Sequence, residues 1–191
     1  MSGSAGTSAD RWILVVNPGS TSTKLGIFEG EGFTHREILR HPAEELSSYA
    51  SVYEQLGYRS GLASRWFRER TGSCDAVIAM GGLFRSIEGG TYRVNATMLA
   101  DAKAAVRGSH ASNLGCLIAD ALAREYSGPA YVVDPVSVDE FEPMARYSGH
   151  PMIGRSSLSH ALNIHAAARR AARDLGIPFK TSSFVVAHLG G

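Results

Sequence analysis

Near the start of this chain stand three strand-length apolar runs, Trp12–Asn17, Lys24–Glu29 and Phe33–Leu39, parted only by short polar turns. Parallel strands need a crossover of a dozen residues or more, and neither turn has that length. The three runs must therefore lie side by side as an antiparallel meander, with Gly30-Glu31-Gly32 making the second turn. His41-Pro42 ends it. From Ala43 to about Arg70 the spacing becomes helical, with Leu62, Trp66 and Phe67 on one face and Arg65, Arg68, Glu69 and Arg70 on another. Gly72 stops that helix, and Ala76–Met80 is short and wholly apolar, the mark of a buried parallel strand. Gly89-Gly90 reads as a turn. Asn95 reads as the N-cap of a helix to about Val106, and Ser112 or Asn113 as the cap of another to about Tyr126. Ala130–Val133 is a second buried strand, ending at Asp134-Pro135. After a polar loop the longest helix is predicted from about Ser156 to Leu175, closed by Gly176 and Pro178, and Phe184–His188 is predicted as a last strand. The fold class expected is α/β, a mixed sheet in βββαβα order, forming one domain over residues 12–191.

A chain of 191 residues can bury a real core. A net charge of +1, with 19% charged residues, gives no broad basic surface, so neither nucleic acid nor an anionic membrane is an expected partner. No apolar run approaches the roughly 20 residues of a membrane helix. Cys74 and Cys116 form no CxxC pair and read as buried, reduced thiols of a cytoplasmic protein. The opening residues, 1–11, are small and polar with no apolar signal region, and read as a disordered tail.

Ligands of α/β sheets collect at the C-terminal ends of the strands. Four groups of polar residues fall at such ends: Asn17 to Lys24, Gly81-Gly82 with Arg85, Asp134, and His188 with Gly190 and Gly191. The first offers the hydroxyls of Ser20 and Ser22, free backbone N–H groups and the Lys24 ammonium, which is equipment for holding a phosphate. It is no Walker loop, because Thr23 stands where a glycine would have to precede the lysine. Each group also has a plain structural reading, as a solvated turn, turn geometry or an edge guard. Their convergence on one sheet edge favours a site. His160, near the start of the long helix, could donate a hydrogen bond to a phosphoryl oxygen, whereas His165 reads as a surface residue.

Taken together, Asn17-Pro-Gly-Ser-Thr-Ser-Thr-Lys24, His110-Ala-Ser-Asn-Leu-Gly115, Val133-Asp-Pro-Val-Ser-Val-Asp-Glu140, His160-Ala-Leu-Asn163 and Ala187-His-Leu-Gly-Gly191 resemble butyrate kinases in order and spacing. The resemblance implies the N-terminal, RNase H-like domain of an enzyme in the acetate kinase family and the actin-like ATPase superfamily. It implies phosphorylation of a short-chain carboxylic acid by ATP with Mg²⁺, giving an acyl phosphate and ADP, in a protein that can form homodimers. On that resemblance Asn17, Asp134 and His160 would be catalytic, with Asn17 and Asp134 near the metal. Ser20, Ser22, Lys24, His188, Gly190 and Gly191 would face the nucleotide phosphates, and Gly81, Gly82, Arg85 and Asn113 the acid. Two residues depart from the family pattern: Met80 stands where an arginine is usual, and Ser159 where a phenylalanine is usual. Losing that cation would cost several kcal/mol in the transition state unless Arg85 or Arg93 replaces it. Family members also continue into a C-terminal domain with the adenosine pocket, so the expectation is that these 191 residues do not turn over ATP alone. The alternative is a degenerate, non-catalytic actin-like domain that binds a small acid or a protein.

Overall fold

The computed structural model describes residues 11–30 and 32–189. The expected N-terminal tail up to residue 10, Glu31 of the second turn, and Gly190 and Gly191 lie outside the described residues. The meander is present as β1 (Trp12–Pro18), β2 (Ser22–Glu29) and β3 (Gly32–Arg40), each antiparallel to the next. β4 (Ala76–Met80) then pairs in parallel with β1, and β6 (Ala130–Val133) in parallel with β4. The short β5 (Thr91–Arg93) closes the far edge antiparallel to β6, giving a six-stranded mixed sheet in the order β3-β2-β1-β4-β6-β5.

Alternation along the strands decides which face is dry. Leu14, Val16, Leu25, Ile27, Val77, Ala79 and Val132 are buried beneath α2 (Leu56–Arg68) and α4 (Leu114–Glu125). Those helices contribute Phe67, Leu114, Ile118 and Leu122 to the same cluster. Each such side chain contributes about 1.5–3 kcal/mol by leaving water. The opposite face carries Ile13, Val15, Phe28, Ile78 and Val133, all only half-buried. Among the described residues no helix is long and apolar enough to cross a membrane.

Several expectations need correction. The helical stretch after His41 is not continuous: it divides into α1 (Ala43–Ser47), a 3₁₀ turn (Tyr53–Gln55) and α2. Ser47 and Ser48 turn their hydroxyls back onto the carbonyls of Glu44 and Glu45, at 2.8 and 2.7 Å, which competes with the helical ladder. The strand β5, which is not among the expected elements, enters between β4 and β6 ahead of the expected helix α3 (Ala96–Ala104), so the element order is longer than βββαβα. The last long helix, α5, spans Ala161–Leu175 rather than starting at Ser156, because the Ser159 N–H is spent on the Val136 carbonyl at 3.1 Å. Residues Phe184–His188 form no strand; no sheet edge accepts them, and Val185 stands fully exposed. Asn95 caps α3 as expected, its side-chain oxygen accepting from Met98 N–H at 3.0 Å. Ahead of α4 it is His110, with Nδ1 accepting from Ser112 N–H, that caps a 3₁₀ turn (Ala111–Asn113), and Asn113 contributes no side-chain cap.

Candidate active site

Because β1, β4 and β6 are parallel, their C-terminal ends share one edge. Asn17 follows the Val16–Ala79 pair and so lies beside Met80, which itself pairs with Val133. Asn17 and Met80 thus stand on neighbouring strands about 5 Å apart, and Asp134 is the first residue past the end of β6, the next strand across. Lys24 is paired with Asn17 across the hairpin, on the half-open face of the sheet. Its side chain is exposed and enters no ion pair among the described residues. Ser20 is exposed at the tip of the turn, and Ser22 is the half-buried first residue of β2.

Asp134 is the most constrained member. It is buried and left-handed, with φ of +38°, a conformation an L-residue adopts at a cost of about 1–3 kcal/mol and one that concentrates at functional sites. The fold enforces it through a reciprocal pair of bonds: the Asp134 N–H donates to the Gly90 carbonyl at 2.9 Å, and the Gly90 N–H donates to Asp134 Oδ1 at 2.7 Å. Asp134 Oδ2 faces His165 Nδ1 at 3.0 Å, and His165 Nε2 lies 4.0 Å from Glu140 Oε2. The Nδ1 contact is short but off the hydrogen-bond axis, so it is an electrostatic contact rather than an aligned bond. Glu140 in turn accepts from the Gly89 N–H at 2.6 Å. A Cβ on residue 89 would meet Glu140 Oε1 and His165 Cε1 at 2.8 Å each, so a larger residue there would push these two side chains back from the turn.

This corrects the reading of His165 as a surface residue, and it adds Gly89, Gly90 and Glu140, which sequence reasoning missed. His165 lies on α5 shortly after His160, but its partners, Asp134 and Glu140, lie in the loop that follows β6. A histidine amid the alanines of an amphipathic helix is the only signal in the sequence.

His160, the residue before α5, shares a small cleft with Asp134, Met80 and Ser159. The His188 ring lies against it, with centroids 4.4 Å apart. Asn17 and Met80 also border an apolar groove on the half-open face, lined by Val15, Phe28, Ile78, Val133 and Leu162. The remaining candidates are committed elsewhere. Asn113 is buried, its Oδ1 accepting from Leu83 N–H and its Nδ2 donating to the Gly108 carbonyl, both at 2.8 Å. Gly81 and Gly82 are buried, and a Cβ on Gly82 would come within 2.5 Å of Asn113 Cα, so the loop needs its glycine for this close approach. The Arg85 guanidinium is tied to the Asp101 carboxylate by two contacts of 3.1 Å, and Arg93 is exposed on β5. Neither arginine lines the cleft beside Met80. Both cysteines are free thiols; burial pushes Cys116 up to about 12 and the half-buried Cys74 to about 11, so neither is an available thiolate.

No family model matches the chain. Butyrate kinase 2 of Clostridium acetobutylicum is 45% identical over 182 residues, which is 94% of this chain and 51% of that protein. A probable butyrate kinase of Listeria innocua is 44% identical over the same shares. Among solved structures, Porphyromonas gingivalis acetate kinase superposes with a TM-score of 0.58 at 13% identity, over 88% of this chain and 50% of that one. A propionate kinase of Francisella tularensis gives 0.56 at 17% identity, over 87% and 50%. The chain spans about half the length of the curated relatives it matches. Over 94% of its length it is a homologue of the butyrate kinases, and it carries the fold of acetate and propionate kinases.

Proposed function

We propose that this chain holds the acid and the transferring phosphate in a short-chain carboxylate kinase that converts butanoate and ATP to butanoyl phosphate and ADP. The observation that carries the reading is the convergence of Asn17, Lys24, Asp134 and His160 on one sheet edge, beside an apolar groove suited to an aliphatic tail. Identity of 45% with a butyrate kinase supports this over a non-catalytic module.

In the reaction a carboxylate oxygen attacks the γ-phosphorus, the bond from that phosphorus to the β-bridging oxygen breaks, and ADP leaves with the electron pair. The acid is its own nucleophile and needs no strong base, so the protein's work is positioning and neutralising charge. Lys24 approaches the phosphates as a point charge. His160 donates to the transferring phosphoryl group, with His188 against it. The rigid Asp134 orients the reacting groups. Among the described residues no cluster of three His, Cys, Asp or Glu could hold a metal. Mg²⁺ asks for less, one or two protein oxygens with water and phosphate completing the shell, and the Asp134 carboxylate and Asn17 amide oxygen fit that donor chemistry. When bound there it neutralises charge on the phosphoryl oxygens. Reduced thiols and a small organic acid suit the cytoplasm.

The relatives are about twice as long as the matched stretch, and we propose that these 191 residues alone turn over no ATP. Two measurements test the reading. In the chain itself, millimolar butanoate shifts the amide resonances of Asn17, Met80 and the residues around Asp134; no shift there sinks the acid site. In a chimera continued with the remaining half of the Clostridium acetobutylicum relative, ATP-dependent butanoyl hydroxamate forms, and Asp134→Asn lowers its rate by at least about 100-fold. Hydroxamate from the 191-residue chain alone overturns the second proposal.

A further inference from the structure

Arg59, on α2, is 1% exposed, yet no carboxylate pairs with it among the described residues. All its partners are neutral. Nε and Nη2 donate to Gln55 Oε1 at 3.1 and 2.9 Å. Nη1 donates to the Gly19 carbonyl at 2.8 Å, the Ser22 carbonyl at 3.4 Å and Thr23 Oγ1 at 3.3 Å, and Nη2 to the Ser20 carbonyl at 3.2 Å. The Thr21 carbonyl accepts from His41 N–H at 2.9 Å, and the Gly19 N–H is used within the turn on Ser22. Every carbonyl from Gly19 to Ser22 therefore has a donor, three of them from the guanidinium on α2 and the Thr21 carbonyl from the backbone that follows β3. The N–H groups of Ser20 and Thr21, both exposed, have no acceptor among the described residues.

A buried cation without a counter-ion is costly, and chains normally pair it. Burial also lowers the Arg59 pKa from its ordinary value, but arginine stays charged. The turn in front of it thus has its acceptors tied back, its donors outward and an uncompensated positive charge behind. We propose that Arg59 is a positioning residue for the proposed phosphate site: it pins the Gly19–Ser22 turn from behind so that the turn's free N–H groups meet a phosphate oxyanion, which supplies the counter-charge Arg59 lacks. The inference rests on the kinase reading for the identity of the oxyanion. The pinning itself does not.

The test uses the ¹⁵N-labelled 191-residue chain and sodium pyrophosphate. In wild type, the Ser20 and Thr21 amides and the Arg59 Nε–H shift along one saturation curve. Arg59→Lys keeps the charge and loses the fork. Its Ser20 and Thr21 amides exchange with solvent at least about 10-fold faster, while Val16 and Val132 exchange as before, and half-saturation rises about 10-fold. Unchanged turn exchange in Arg59→Lys overturns the pinning. An Arg59 Nε–H that stays still while the turn amides saturate overturns the counter-charge role. A wild-type turn that ignores pyrophosphate defeats the phosphate reading and the counter-charge role together, and the exchange contrast alone then decides the pinning. Should Arg59→Lys not fold, Gln55→Leu removes the acceptor of two guanidinium donors and gives the same comparison.

Discussion

Asp134 owes its geometry to residues far from it in the chain. Its Oδ1 answers to Gly90, 44 residues earlier, and its Oδ2 to His165 on α5. The aspartate itself is conspicuous in sequence, at the end of an apolar strand before a proline, but its left-handed backbone and its neighbours are not. Met80 is the opposite case. Sequence resemblance marks it as the odd residue, and the structure puts it in the cleft with Asp134 and His160, with Arg85 engaged by Asp101. On the proposed function, a cation at that position faces the transferring phosphoryl group or the acid. In the active chimera, Met80→Arg is expected to raise hydroxamate formation by about 10- to 100-fold. No gain would show that this edge works without it.

At the scale of elements, local signals predict well where the element carries its own instructions. Asn95 is such a case, an Asx cap whose side chain closes the first turn of α3. Asn95→Ala is expected to cost about 1 kcal/mol, read as a lower urea midpoint with unchanged slope. The buried strands Ala76–Met80 and Ala130–Val133 match their expected bounds, because an apolar run with turn residues at both ends has few other uses. Elements that depend on a neighbour are misread. Thr91–Arg93 is too short to show alternation and is a strand only because Tyr131–Val133 accepts it. Phe184–His188 has strand chemistry and no edge to join. The start of α5 is set by a bond to Val136 that no periodicity announces.

Across the whole molecule, β2, the residue after β3, α1 and α2 are joined by one chain of hydrogen bonds, buried at Arg59 and Thr23 and reaching the surface at Glu45. Arg59 donates to Thr23 Oγ1, whose hydroxyl lies 2.8 Å from His41 Nε2; His41 Nδ1 is 3.3 Å from the Tyr58 hydroxyl, which donates to Glu45 at 2.9 Å. All the donors run one way if His41 is neutral with its proton on Nδ1. Burial, and then the Arg59 charge, hold the His41 pKa below its ordinary 6.5, with Glu45 opposing. Thr23, Glu45, Tyr58 and Arg59 are the polar groups facing the ring. A histidine with a depressed folded pKa makes the unfolded chain the better proton acceptor, so its contribution is intact above about pH 6.5 and is lost as pH falls below that value. The urea midpoint should therefore drop between pH 7 and 5, and His41→Gln should flatten that drop; an equal slope in both would refute the assignment. By itself the sequence determined the meander, the buried strands, the edge where Asn17, Lys24 and Asp134 gather, and the kinship those motifs signal, because turn length, apolar periodicity and short motifs are local. Only the tertiary structure decided that Arg59 stands behind the turn, that His165 and Glu140 close on Asp134, and that Arg85 and Asn113 have partners elsewhere. Those are pairings between residues distant in the chain, and a hydrogen bond or ion pair is made by whichever groups the fold brings within about 3 Å.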